Sequence, residues 1–418
     1  MASARLSWKT SCAHRCDCSK SHSAEHKTTP LTETGEALNA VADEASAWLA
    51  LARVEGLGGG GIRRLLDIHG NALAAWRALP HGGLQAGLTP AVVKSAAKLD
   101  LAALEQDRAW LASPDCHLLP CTDPLFPPQL AETPNAPALL FLRGDPQLLC
   151  QPQVAVVGSR NPTAAGRDNA YAFARALAEA GLLITSGLAE GVDSAAHRAA
   201  LDAGRPTLAV MGTGVDRIYP AHNARLAAEI VGHGALISEF PPGTPARRDH
   251  FPRRNRIVVG LSLGTLVIEA ALKSGALISA RQAVEAGREV FALPGSIHNP
   301  LAKGCHRLIR DGAHLIETAD EIIAMLGPAA LRLGQQLQQR LGEAARVDDP
   351  GSELLPAGLP GDPDYQRLWR ALDHSPSSAV QLQQRTGLTA QALSSMLLRL
   401  ELDGWIDARA GRYLRRSG

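Results

Sequence analysis

The chain has 418 residues, 45% hydrophobic and 20% charged, and its 42 Lys and Arg against 41 Asp and Glu leave a net charge of +1. That length holds two or three domains with a sizeable core, and that balance excludes a protein that coats nucleic acid by bulk charge. No apolar run approaches the roughly 20 residues needed to cross a bilayer, and the N-terminus lacks the apolar centre of a signal peptide, so a cytoplasmic protein without membrane contact is expected.

Residues 1–43 show little periodic hydrophobicity and read as a disordered extension. Cys12, Cys16 and Cys18 stand there among His14, His22 and His26, but without the paired two-residue gap of common zinc modules, so no metal is expected. Four further cysteines of the total of seven, Cys116, Cys121, Cys150 and Cys305, are scattered through the globular part, the usage of a reducing compartment.

Residues 44–112 turn helical, with a Gly-rich turn at Gly56 to Gly61 between short helices, a SAM- or helix-hairpin-helix-like unit. Such a turn can hold a DNA phosphate on backbone N–H groups. Four glycines alone are weak evidence for that, and a plain helical packing unit is the preferred reading.

From 113 to 326 short apolar runs recur, each followed by glycine and a helical pattern: "VAVVGS", "LLITSG", "TLAVMG", "ALISE", "TLVIEA" and "EVFALPG". Continuous apolar strands alternating with amphipathic helices mean an α/β, Rossmann-like, doubly wound and mostly parallel sheet covered on both faces. "HLLP" and "ALLFLRG" extend its edge. Residues 327–363 are a linker by composition. Residues 364–418 read as helices followed by a hairpin, with a turn at Gly387 and Thr389 as N-cap, a winged helix that is only mildly basic.

Ligands of such sheets bind at the carboxyl ends of strands. "VVGSRNPTAAG" puts Gly158, Ser159 and Arg160 there, a glycine for close backbone approach and two donors for a phosphate. "SGLAEGVDSAAH" adds Gly187 and Gly191; its Asp193 and His197 lie four apart, which reads as a local ion pair or cap rather than a catalytic or metal site. The connection after "ALISE" carries Arg247, Arg248, Phe251, Arg253, Arg254, Asn255 and Arg256. Arginines beside an aromatic ring suit single-stranded nucleic acid, the cations on phosphates and the ring under a base, although some of them could instead pair with Asp249 and Glu239. "ALKSGALISA" adds Lys273, Ser274 and Gly275 at another strand-to-helix turn. The loops lack a GxGxxG spacing and a Walker lysine, so no nicotinamide, flavin or ATP cofactor is expected.

These stretches together, "GSRNPTAAG", "TSGLAEGVDSAAH", "GTGVDRIYPAHN" and "SEFPPGTPARRDHFPRRNRIVVGLSLGTLVIEAALKSGALISA", closely resemble the bacterial DNA-processing protein A (DprA, or Smf) family over roughly residues 45–326. The resemblance implies a non-enzymatic protein of natural transformation that binds single-stranded DNA, forms a homodimer through the Rossmann-like domain, and loads the RecA recombinase. Gly158, Ser159 and Arg160 would then hold phosphate, and the arginines of "FPRRNR" with Lys273 would line the DNA groove. Ala276 and Ser279 stand where the family pattern has Ser and Thr. Two rival readings are a phosphoribohydrolase-like nucleotide enzyme, faintly suggested by "LSLGTLVIEA" with Glu269, and a nucleotide-sensing winged-helix regulator.

Overall fold

The computed structural model describes residues 40–347, 362–372, 377–409 and 412–415. The N-terminal extension up to residue 39, with its Cys and His group, and residues 348–361 of the expected linker lie outside the described residues. The chain divides into two compact units, one ending at Leu57 and resuming over Arg64–Glu105, the other made of Gly58–Arg63 and Gln106–Gly418.

In the first unit α1 (Glu44–Arg53) is capped by Asp43, whose carboxylate accepts from Ser46 N. It buries Trp48, Leu49 and Leu51 and packs on α3 (Ala72–Gly82). Glu44 reaches across to accept from Ala72 N and Leu73 N at 2.7 and 3.0 Å, satisfying two orphan donors at the start of α3. α2 spans Gly59–His69, and α4 (Pro90–Ala96) and α5 (Leu101–Leu111) follow. The expected Gly-rich turn is therefore shorter than the glycine run. Gly56 turns at φ +80°, whereas Gly59 already belongs to α2. A Cβ on Gly59 would sit 2.8 Å from the Ala136 carbonyl, so this glycine serves close packing.

The second unit holds a nine-stranded sheet in the order β1-β2-β6-β5-β4-β3-β7-β8-β9. The strands are β1 Cys116–Pro120, β2 Leu139–Gly144, β3 Gln153–Gly158, β4 Leu183–Ser186, β5 Thr207–Val210, β6 Ala235–Ser238, β7 Gly264–Ile268, β8 Glu289–Ala292 and β9 His314–Leu315. β1 and β2 run antiparallel at the edge; all pairings from β6 to β9 are parallel. The short helix α6 (Pro128–Ala131) lies between β1 and β2. Alternation along β3 sends Ala155 and Val157 to one core and Val154 and Val156 to the other.

The first core is covered by α10 (His250–Leu261), α11 (Gly275–Glu285) and α12 (Lys303–Arg310) through residues such as Ile257, Ala280 and Cys305. α7 (Ala164–Glu179), α8 (Val192–Asp202) and α13 (Ala319–Val347) cover the second through Ala174, Ala196 and Leu333. α9 (Ala224–His233) connects β5 to β6. From β3 the chain steps to β4, β5 and β6 in one direction and then crosses back to β7, β8 and β9 in the other. The topological switch point thus falls between β3 and β7, where Rossmann-like folds open a ligand crevice.

α13 takes in residues 327–347 of the stretch read as linker. The stretch is rich in Gly, Pro, Gln and Leu, and Leu326, Ala330, Leu333 and Leu337 recur at helical spacing and pack on the second core. The C-terminal module comprises α14 (Pro363–Ala371), β10 (Ser377–Ser378), α15 (Ala379–Thr386), α16 (Ala390–Leu402), β11 (Ile406–Arg409) and β12 (Arg412–Arg415). Ser378 and Gln381 form a capping box, Gly387 ends α15 at φ +70°, and Thr389 caps α16 by accepting from Ala392 N. Three strands in the order β10-β12-β11 complete a winged helix.

Candidate nucleic-acid interface

α10 is the element that organises the carboxyl edge of the sheet. Its first turn lies over the ends of β5 and β6, because the ring nitrogen Nδ1 of His250 meets the Gly212 carbonyl at 3.1 Å and its ring stacks on Phe240 at 4.0 Å. The Phe251 ring lies on Gly212, where a Cβ would come within 3.0 Å of it, so the missing side chain seats the ring. Tyr219, 49% exposed, flanks Phe251 at 5.5 Å, and the Arg160 guanidinium lies over the ring at 5.6 Å. Arg253 lies over Phe240 at 5.2 Å with its side chain half exposed and its Nε 3.9 Å from Glu239 Oε1. The edge therefore presents exposed cations mounted on aromatic rings, an arrangement that takes phosphates and stacks bases.

The other arginines of the motif do different work. Arg254 is only 4% exposed and lies beneath this rim, donating to the carbonyls of Gly187 and Val210 and to Asn255 Oδ1. Burial pushes its pKa down to about 10, opposed by the Asp193 carboxylate, so it remains a cation at neutral pH. A groove role for Arg254 is thereby corrected: its charge is consumed inside the fold. Gly187 is corrected with it, since a Cβ there would strike the Arg254 guanidinium at 2.2 Å and the residue is buried. Arg256 is 20% exposed, pairs with Glu239 and donates to the Asn135 carbonyl. Asn255 is half-buried beside them.

Gly158 and Gly191 also answer to packing. A Cβ on Gly158 would meet the Ile268 carbonyl at 1.9 Å, and Gly191 enters α8 at φ +79° against the Ser159 carbonyl. The Ser159 hydroxyl accepts from Asn161 N at 3.1 Å and shapes the loop that carries Arg160. Asp193 accepts from Gly187 N and Ala189 N; burial pushes its carboxyl up, against the opposing pull of Arg254 and those N–H groups. His197 bonds through Nδ1 to Thr207 Oγ1 at 2.8 Å, and burial pushes its pKa down to about 3. The two residues are both structural and do not pair with each other.

Lys273, Ser274 and Gly275 belong to a second feature. Lys273 and Ser274 open a groove of about 640 Å³ between α11 and α12, lined also by Arg281, Arg288, Arg307, Glu289 and Asp311. Lys273 and Gly275 are exposed, while the Ser274 hydroxyl is buried. The apolar side chains of Leu272, Ile278 and Val284 are exposed along the same wall, Val284 to 66%.

At the switch point itself lies a residue considered only for an enzymatic role. Glu269 follows β7 with φ +52°, and its carboxylate accepts from Thr163 N at 2.8 Å, Thr163 Oγ1 at 2.6 Å and Asn299 Nδ2 at 3.0 Å. It thus sits at the N-terminus of α7. Sequence reasoning also missed Tyr219, although an aromatic residue in the strand-end loop "GTGVDRIYPAHN" was the available signal.

Comparison with known proteins places this geometry. Residues 117–327 match the family model described as DNA recombination-mediator protein A, residues 42–101 a DprA-like N-terminal HHH domain, and residues 352–412 a DprA winged helix domain. The chain is 40% identical over 332 residues to Protein Smf of Escherichia coli, covering 79% of this chain and 86% of that protein. It is 46% identical over 202 residues to DNA processing protein DprA of Streptococcus pneumoniae, 48% of this chain and 71% of that one. The X-ray structure of DNA processing protein A from Streptococcus pneumoniae superposes with a TM-score of 0.61 at 38% identity, over 67% of this chain and 97% of that one.

Proposed function

Because the chain belongs to the DNA recombination-mediator protein A family, whose model spans residues 117–327, we propose that the carboxyl edge of its sheet is a track for single-stranded DNA. The observation that carries this reading is the group of exposed Arg160, Tyr219 and Arg253 around the half-buried Phe251 ring, cations and rings gathered at the strand ends. Phosphates meet Arg160 and Arg253, a base stacks at the Phe251 and Tyr219 rings, and no base edge is read. Binding is therefore salt-sensitive and nearly independent of sequence.

The role is that of a mediator and not of an enzyme. Asp193 is held by backbone N–H groups, His197 by Thr207 and Glu269 by Thr163 and Asn299, which speaks for binding over the phosphoribohydrolase reading. In natural transformation such a protein protects incoming DNA in the cytoplasm and delivers it to RecA. Among the described residues no helix is long and apolar enough to cross a membrane. A second copy of the chain covers the exposed Ile278 and Val284 wall of α11, and two tracks joined in this way hold a strand more tightly by effective concentration. Lys273, exposed in the loop after β7, extends the track.

The test is fluorescence anisotropy of labelled oligo-dT against a duplex of equal length, at several salt concentrations, with wild type and Arg160→Ala. Preferential single-strand binding that falls in the variant supports the track; equal affinity for duplex sinks it.

A further inference from the structure

Helix α7 begins at the switch point between β3 and β7, the place where folds of this type take the phosphate of a nucleotide on free backbone N–H groups. In this chain an anion already stands there, and the chain itself supplies it. The Glu269 carboxylate accepts the Thr163 N–H and hydroxyl, the hydroxyl of Thr163 also accepts from Gly166 N at 3.0 Å, and Asn299 closes the far side. Gly166 lacks a side chain where a Cβ would lie 2.4 Å from that carboxylate. Asn299 is itself fixed by Leu301 N, which donates to its Oδ1 at 2.9 Å.

Three separate loops, after β3, β7 and β8, are thus shaped around one carboxylate. Its owner adopts the left-handed conformation that a residue with a side chain rarely takes. A short side chain, or none, would leave the N-terminus of α7 open.

We infer that Glu269 is a specificity-determining residue, a built-in occupant that bars the phosphate of a free mononucleotide from the switch-point crevice. It repels phosphate by charge and fills the space by shape. A chain bathed in cellular nucleotides keeps its ordinary Rossmann-type site closed, and only a ligand that runs along the rim finds exposed cations. The closure stands independently of the DNA reading, because it is measured with a monomer.

The experiment is calorimetric titration of the full chain with AMP and with inorganic phosphate. Glu269→Gly and Glu269→Asn both suit a positive φ and both withdraw the carboxylate from α7. Either variant is expected to gain saturable, salt-sensitive binding of both probes, about tenfold or more above wild type. Glu269→Gln, which keeps the shape, is expected to stay nearer wild type than either. Thermal melting and circular dichroism identify which variants are native. A native Gly or Asn variant that takes up neither probe would overturn the inference, as would wild type binding AMP as tightly as the variants. Failure of wild type to bind oligo-dT would sink the DNA track and leave this result unchanged.

Discussion

On one side of Gly158 the sheet edge leaves cations exposed over aromatic rings; on the other, at β7, it places a carboxylate and surrounds it with donors. Both stretches are strand ends followed by helices, the usual place for phosphate in such sheets. The difference lies in whether the polar groups remain open to solvent or are enclosed by the chain's own donors and acceptors. Net charge cannot report that, and neither can the count of arginines in a motif.

The sharpest test of this contrast separates an engaged arginine from a free one. Arg254→Ala would leave the carbonyls of Gly187 and Val210 and the Asp193 carboxylate uncompensated in the interior, and is expected to destabilise the fold by about 3–5 kcal/mol in chemical denaturation. Arg160→Ala, at the surface, should change stability by no more than about 0.5 kcal/mol. Equal stability of the two variants would erase the distinction.

Acid should expose the interior behind the rim. Folded His197 stays neutral down to about 3, whereas in the unfolded chain it takes up a proton near its ordinary 6.5. Its contribution is therefore whole above that value and is lost as pH falls through the window between the two. The expected slope is about 1.4 kcal/mol per pH unit from this one site. His197→Asn, with an amide placed to reach Thr207, should melt with a shallower acid dependence, and an unchanged slope would count against a neutral buried histidine.

Binding variants carry smaller effects. Phe251→Ala should cost about 1–3 kcal/mol of single-strand affinity while leaving the salt slope alone, as loss of a stacking ring requires. Arg160→Ala should weaken oligo-dT binding by about tenfold and flatten the salt slope by about 0.7, the value of one phosphate on a single strand. Arg256→Ala, whose guanidinium faces Glu239 and Asn135, should leave that slope as it is.

Much of the fold is legible because continuous apolar runs ending in glycine report buried parallel strands directly. β9, two residues long, carries no such signal. Within the site, Arg160 and Phe251 are recognisable from residue type and place along the chain. Arg254 is misplaced because the stretch reads as a connection; as a helix, Arg254, Ile257, Val258 and Leu261 share one face, and three of the four are apolar. Glu269 meets Thr163 across 106 residues and through a left-handed backbone, and no local spacing records either.

The stacking of Arg160 on Phe251 makes their energies inseparable. Removing the guanidinium also uncovers the ring, and removing the ring also frees the guanidinium, so neither single substitution measures one group alone. The double substitution should therefore lose less than the sum of the two. The shortfall is the free energy of coupling between a charge that finds the strand and a surface that holds it.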